Sequence, residues 1–166
     1  MRIVLMSLTL LFAAPAVAAD SIYTRHVWEK CRTLKDDGVV SAKSCKGPGG
    51  LPILYENEPD AAFVSFGERG FVGEGIGSDL ATAPGDAVEW RRDGGPPFAA
   101  ILRYAVGASV TAPHVSRLVV YKLEGRRSSC IVAIVGPVAN ANARARAIAD
   151  ARARGFACGK DAIVRE

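Results

Sequence analysis

The chain has 166 residues, 49% of them hydrophobic, and 21 Lys and Arg set against 17 Asp and Glu leave a formal net charge of +4. So small a positive excess gives no electrostatic case for a nucleic-acid partner. After residue 19 no stretch reaches the run of about 20 apolar residues that a membrane-spanning helix needs, so no membrane anchor is expected there.

The first residues do carry a pattern. Arg2 precedes an apolar run from Ile3 to Ala14, interrupted only by Ser7 and Thr9, and the small residues Ala16, Ala18 and Ala19 stand before Asp20. A charged start, a hydrophobic stretch too short to span a bilayer and small residues at the exit are the parts of a cleavable signal peptide. Residues 1–19 are therefore read as a leader, with cleavage after Ala18 or Ala19. The remainder, 20–166, is read as one globular domain, exported to a bacterial periplasm or secreted. No cysteine lies near the cleavage region, so a lipid anchor is not expected.

In chain order, 23–34 is a mixed segment carrying Trp28 and Cys31, and Asp36-Asp37-Gly38 is a turn. A short strand is expected at Val39-Val40 and a tight loop at Lys46 to Gly50. Strands follow over 51–55 and 61–66, separated by the polar turn 56–60. The span 67–77 holds Gly67, Gly70, Gly73, Gly75 and Gly77 and is read as a long loop, continued as loop over 79–86. Residues 87–91 resume a strand with Val88 and Trp90 on one face. A strand over 98–106 places Phe98, Ala100, Leu102 and Tyr104 opposite Ala99, Ile101 and Arg103. Residues 116–124 and 130–135 form a hairpin turning at Gly125-Arg126-Arg127. A helix over 138–154 follows, rich in alanine. Val138, Ala141, Ala145, Ile148 and Ala149 share one side of it, and Arg152 falls inside that apolar arc, where its stem would cover core. The expected fold is α+β: a mainly antiparallel sheet or small sandwich of six or seven short strands, with one C-terminal helix packed on it and two disulfides.

Four cysteines, Cys31, Cys45, Cys130 and Cys158, all follow the leader. An even number in an exported chain points to disulfides, and the closely spaced pairs of a zinc site are missing. The strand from Cys130 advances about 20 Å, and a helix of about 15 residues returns about as far. Cys158 is thereby carried back to Cys130, leaving Cys31 to pair with Cys45.

Candidate chemistry is sparse. His114 lies near Ser109, Thr111 and Ser116, but no motif supplies an acid to orient its imidazole. His26 sits beside Arg25 and Trp28. The acids Glu56, Glu58 and Asp60 crowd one turn, and two histidines far apart make no metal site. The run from Gly73 to Gly77 lacks the last glycine and the following helix of a dinucleotide loop, so no cofactor and no metal are expected. The basic pairs Arg91-Arg92 and Arg126-Arg127, with the helix arginines, are a candidate anion-binding face. The loop residues Gly67, Arg69, Gly73, Gly75 and Gly77 are a candidate partner contact.

These features point to a non-catalytic binding or envelope-associated protein, whose partner is another protein or a polyanionic envelope component. The alternatives are a small periplasmic hydrolase using His114, or an inhibitor of a cell-wall-degrading enzyme. The general build, a small exported β-rich domain with two disulfides, is similar to that of periplasmic lysozyme inhibitors.

Overall fold

A computed structural model describes residues 19–70, 76, 81–109, 111–112 and 114–166. Residues 1–18, which fall within the expected leader 1–19, and the loop positions Gly73, Gly75 and Gly77 lie outside the described residues. Along the described chain run β1 (Asp20–Arg25), a 3-10 turn (Trp28–Lys30), β2 (Arg32–Asp36), β3 (Ser41–Lys46), a second 3-10 turn (Pro48–Gly50), β4 (Pro52–Asn57) and β5 (Ala62–Phe66). After them come β6 (Ala81–Arg92), β7 (Ala99–Gly107), β8 (Val115–Leu123), β9 (Ser129–Val135), α1 (Ala141–Arg152) and β10 (Val164–Arg165).

The strands make two sheets, one of six strands in the order β1-β6-β7-β8-β9-β10 and one of four in the order β2-β3-β4-β5. Among the described strands all pairings are antiparallel except β9 with β10, and an isolated parallel bridge joins Ala61 to Thr82. Period-two alternation divides the six-stranded sheet between two cores. Val88, Trp90, Ala100, Leu102, Tyr104, Val119 and Tyr121 meet Ile53, Tyr55, Val64 and Phe66 of the four-stranded sheet. The Phe66 ring stands edge-on to Trp90 at 5.3 Å and to Tyr121 at 5.1 Å, a favoured aromatic geometry. On the opposite face Ala99, Ile101, Leu118, Val120, Ala133 and Val135 meet Ala145, Ala149 and Ala153 of the helical segment.

The two sheets are sewn together along β5. Its pairs with β4 are Ile53 with Phe66 and Tyr55 with Val64. The amides of Val64 and Phe66 point the other way, into the interior. The Val64 N–H donates to the Tyr104 hydroxyl at 2.9 Å, and the Phe66 N–H donates to Ser129 Oγ at 2.9 Å. The Thr82 hydroxyl donates to the Ala62 carbonyl at 3.0 Å. Tyr104 and Tyr121 share a further hydrogen bond of 3.1 Å, and burial pushes the Tyr104 phenol up to about 12 and Tyr121 well above its ordinary value. Both phenols therefore stay protonated at neutral pH.

Cys31 pairs with Cys45 and Cys130 with Cys158, with Cα separations of 5.0 and 5.7 Å. This is the pairing that matched strand and helix lengths predict. The strand count is higher than the sequence suggests, because 23–34 divides into the end of β1, a 3-10 turn and the start of β2, and because the two-residue β10 is too short to leave a pattern. Val39 and Val40 stay in the turn before β3. Both amides donate to Asp37 Oδ1, at 3.1 and 2.8 Å.

The expected loop over 79–86 gives way, from Ala81 on, to the first half of β6. Pro84-Gly85-Asp86 reads as a turn, but the pairing register jumps there and the strand continues through a bulge. The helix starts at Ala141 rather than 138, after Asn140 at φ 59°, and Val138 is exposed. Arg152 is exposed as well, and Ala153 takes the buried position expected of it.

Ser129→Ala removes the acceptor of the Phe66 amide while leaving that amide buried. A cost of about 1–3 kcal/mol is expected, read as a lower urea midpoint with an unchanged denaturant slope.

Candidate functional site

The two histidines are placed differently. His26 follows β1 and is buried, its ring stacked on Trp28 at 4.9 Å, with Trp28 stacked in turn on Tyr55 at 5.6 Å. Its Nε2 lies 2.7 Å from Thr24 Oγ1, which also accepts the Trp90 indole N–H at 2.9 Å. Thr24 therefore bridges an obligate donor and the imidazole. Burial lowers the His26 pKa from its ordinary 6.5. His114 is exposed and lies over Gly107. The hydroxyls expected beside it are turned to other partners: Ser109 and Thr111 bond each other at 3.2 Å, and Ser116 Oγ accepts from Arg103. Among the described residues, none of these three hydroxyls is hydrogen-bonded to His114. Glu56, Glu58 and Asp60 are all exposed in their turn.

Most arginines of the candidate basic face hold acids, while Arg127 and Arg152 are exposed. Arg91, with its side chain 7% exposed, grips both oxygens of Asp150 at 2.9 and 2.6 Å. It also donates to Ser21 Oγ at 2.7 Å and to the Ala19 carbonyl at 2.9 Å. Arg146 grips Glu89 at 2.6 Å and donates to the Tyr23 hydroxyl at 2.9 Å, while Ser21 donates to Glu89. The hydrogen bond to Asp150 and that to Glu89 raise the two guanidinium pKa values above the ordinary arginine range. Arg92 pairs with Asp20, Arg126 with Glu68, Arg144 with Glu166 and Arg154 with Asp93. Arg154 also lies over the Phe98 ring, 3.7 Å from its centroid.

Sequence reasoning missed Glu89 and Asp150 as the organising acids. Alternation offered a signal, since Glu89 lies between Val88 and Trp90 and so faces the helix. Arg146 and Asp150 are one helical turn apart, which lets one face of α1 bind both β6 charges.

Of the described loop candidates, Gly67 is buried with φ 98°. A Cβ there would come within 2.5 Å of the Ser128 nitrogen, which only glycine avoids. The amides of Glu68 and Arg69 donate to the carbonyls of Arg126 and Arg127 at 2.8 and 2.7 Å. The near end of the glycine loop is thus stapled to the β8–β9 turn, with the Arg69 side chain exposed.

A second exposed element is the β2–β3 hairpin. All five residues of β2 are exposed, and among the described residues β2 pairs with β3 alone. Leu34 is 48% and Val39 65% exposed, and Cys31–Cys45 closes the hairpin at its base. At its tip Asp37 accepts the Val40 and Val39 amides and pairs with Lys35 at 2.9 Å, which lowers its carboxyl to about 2.

Among the described residues every buried side-chain nitrogen and oxygen has a hydrogen-bond partner. Among the same residues no group of three or more His, Cys, Asp and Glu is placed to hold a metal. Comparison with known protein families, curated proteins and solved structures gives no match.

The buried imidazole sets a pH dependence. Its folded pKa is depressed, so its stabilising effect is complete above 6.5 and is lost as pH falls through the lower folded value. The thermal midpoint is expected to fall between about pH 7 and 5, and His26→Gln should flatten that part of the profile; an unchanged slope in the variant would assign the acid sensitivity elsewhere.

Proposed function

We propose that this chain is an exported, non-catalytic binding protein, and that its partner is another protein engaged by the β2–β3 hairpin. The observation that carries the reading is the hairpin itself: a strand exposed along its whole length, two aliphatic side chains held out in water, and a covalent clasp at the base. Single exposed aliphatics are ordinary on protein surfaces. Here two lie on one element whose ends are cross-linked, so docking costs less ordering entropy than a free loop would. Protein is favoured over a polyanion because Arg91, Arg92, Arg126, Arg144, Arg146 and Arg154 already have acidic partners. Inhibition of an envelope hydrolase is one form such a contact takes.

Export is supported by the leader pattern and by the use of all four cysteines in two bridges. Between the two cleavage positions, Ala18 is favoured. Cleavage after it leaves the Ala19 carbonyl for Arg91 Nη2 to bind, whereas cleavage after Ala19 removes that acceptor.

Intact mass of the exported product should therefore begin at Ala19 and rise by four hydrogens on reduction. A product still carrying residues 1–18, or one showing free thiols, contradicts the reading. Affinity capture from an envelope extract should retain a partner that a Leu34→Asp/Val39→Asp variant of equal thermal midpoint loses. Equal retention by both proteins, or retention by neither at any salt concentration, removes the hairpin from the account.

A further inference from the structure

On the helix side of the six-stranded sheet, beyond the N-terminus of α1, lies a cleft of about 260 Å³. Ile101 and Leu118 line it, both almost wholly buried. Tyr23, Glu89 and Ile101 are direct cross-strand neighbours, and Arg103 lies opposite Leu118. The remaining wall is the β6 bulge. Pro84 pairs with Tyr104 and Val88 with Leu102, so Gly85, Asp86 and Ala87 stand against the single residue Arg103. Such a bulge re-aims side chains that a regular strand would turn elsewhere. This one is pinned from behind, because the Trp28 indole donates to the Gly85 carbonyl at 3.1 Å and the His26 amide to the Asp86 carbonyl at 2.8 Å.

The lining is mixed in a particular way. Two buried aliphatics and the ring of Tyr23, 58% exposed, supply apolar surface. Asp86, Glu89, Arg103 and Asn142 supply planar acceptors and donors. Arg103 is steadied by Asn142 Oδ1 at 2.9 Å, and Asp86 by Arg25 at 2.6 Å. The two acids are paired with Arg25 and Arg146, the first holding Asp86 and the second Glu89. An anion would meet Asp86 and Glu89, and a cation would meet the arginines. A neutral ring with one C–H face and several hydroxyls meets neither objection, and the volume takes one such ring.

We propose that this cleft binds a single pyranose ring of a neutral saccharide. The site is on the face of the six-stranded sheet away from the four-stranded sheet, so it is independent of the hairpin. The test is amide NMR titration of the purified protein with methyl β-glucopyranoside and with N-acetylglucosamine, and with phosphate and acetate as anionic probes. Saturable shifts are expected for both or either sugar at Tyr23, Asp86, Ala87 and Arg103, with a Kd on the order of millimolar. Tyr23→Ala and Asp86→Asn should each weaken binding about tenfold, or about 1.4 kcal/mol, at an unchanged thermal midpoint, while Tyr23→Phe retains it. Leu34→Asp/Val39→Asp should titrate like the unaltered protein, which separates this site from the hairpin. The proposal is overturned if neither sugar shifts these amides, if phosphate or acetate shifts them more strongly, or if Tyr23→Ala binds as before.

Discussion

A strand at the edge of a sheet has amides and carbonyls with no neighbour, and burying them unpaired costs more than most contacts return. β5 is such a strand, and its outer edge faces the six-stranded sheet. The solution is chemical, since hydroxyls from three different strands take the places a fifth strand would fill. Tyr104 from β7, Ser129 from β9 and Thr82 from β6 each bond one backbone group of β5. Because those bonds have fixed reach, they set where the second sheet lies on the first. The aromatic core of Phe66, Trp90 and Tyr121 follows from that placement.

The helix on the other face is held by different means. Its contact residues Ala145, Ala149 and Ala153 each bury a single methyl, together worth about 2–3 kcal/mol at roughly 0.8 kcal/mol per carbon. A bridge such as Cys130–Cys158 contributes about 2–4 kcal/mol by itself, and the ion pairs of Arg91 with Asp150 and Arg146 with Glu89 fix the angle of approach. A small-residue seam lets the helix lie close. The charged clamp and the bridge keep it there.

The features legible in the sequence were those set by local periodicity. Val88 against Glu89, Leu102 against Ile101, and the strand and helix lengths that return Cys158 to Cys130 all follow from rise per residue. The illegible features depend on partners far away in the chain. Nothing near Ser129 or Tyr104 shows that a β5 amide waits for its hydroxyl. Pro84-Gly85-Asp86 has the composition of a turn, and only the pairing of its flanks with β7 makes it a bulge. The candidate site was harder still. Six arginines of the candidate basic face, Arg91, Arg92, Arg126, Arg144, Arg146 and Arg154, hold acids spread from Asp20 to Glu166, and the cleft draws on four strands and a helix. Gly67 was noticed for its freedom, whereas its place is fixed by the backbone of Arg127 and Ser128.

The position of β1 has a kinetic consequence. It is the first strand of the described chain, yet its sole neighbour in the sheet is β6, whose residues lie some sixty to seventy positions later. Until β6 is available, β1 has nothing to pair with, and the loop between them must close before any of its bonds form. The β2–β3–β4–β5 meander needs no such wait, and Cys31 and Cys45, 14 residues apart, meet within it. Emerging from its N-terminus, the chain would assemble the smaller sheet first and add β1 to the larger one only once β6 has followed, the slow step expected of distant strand pairing.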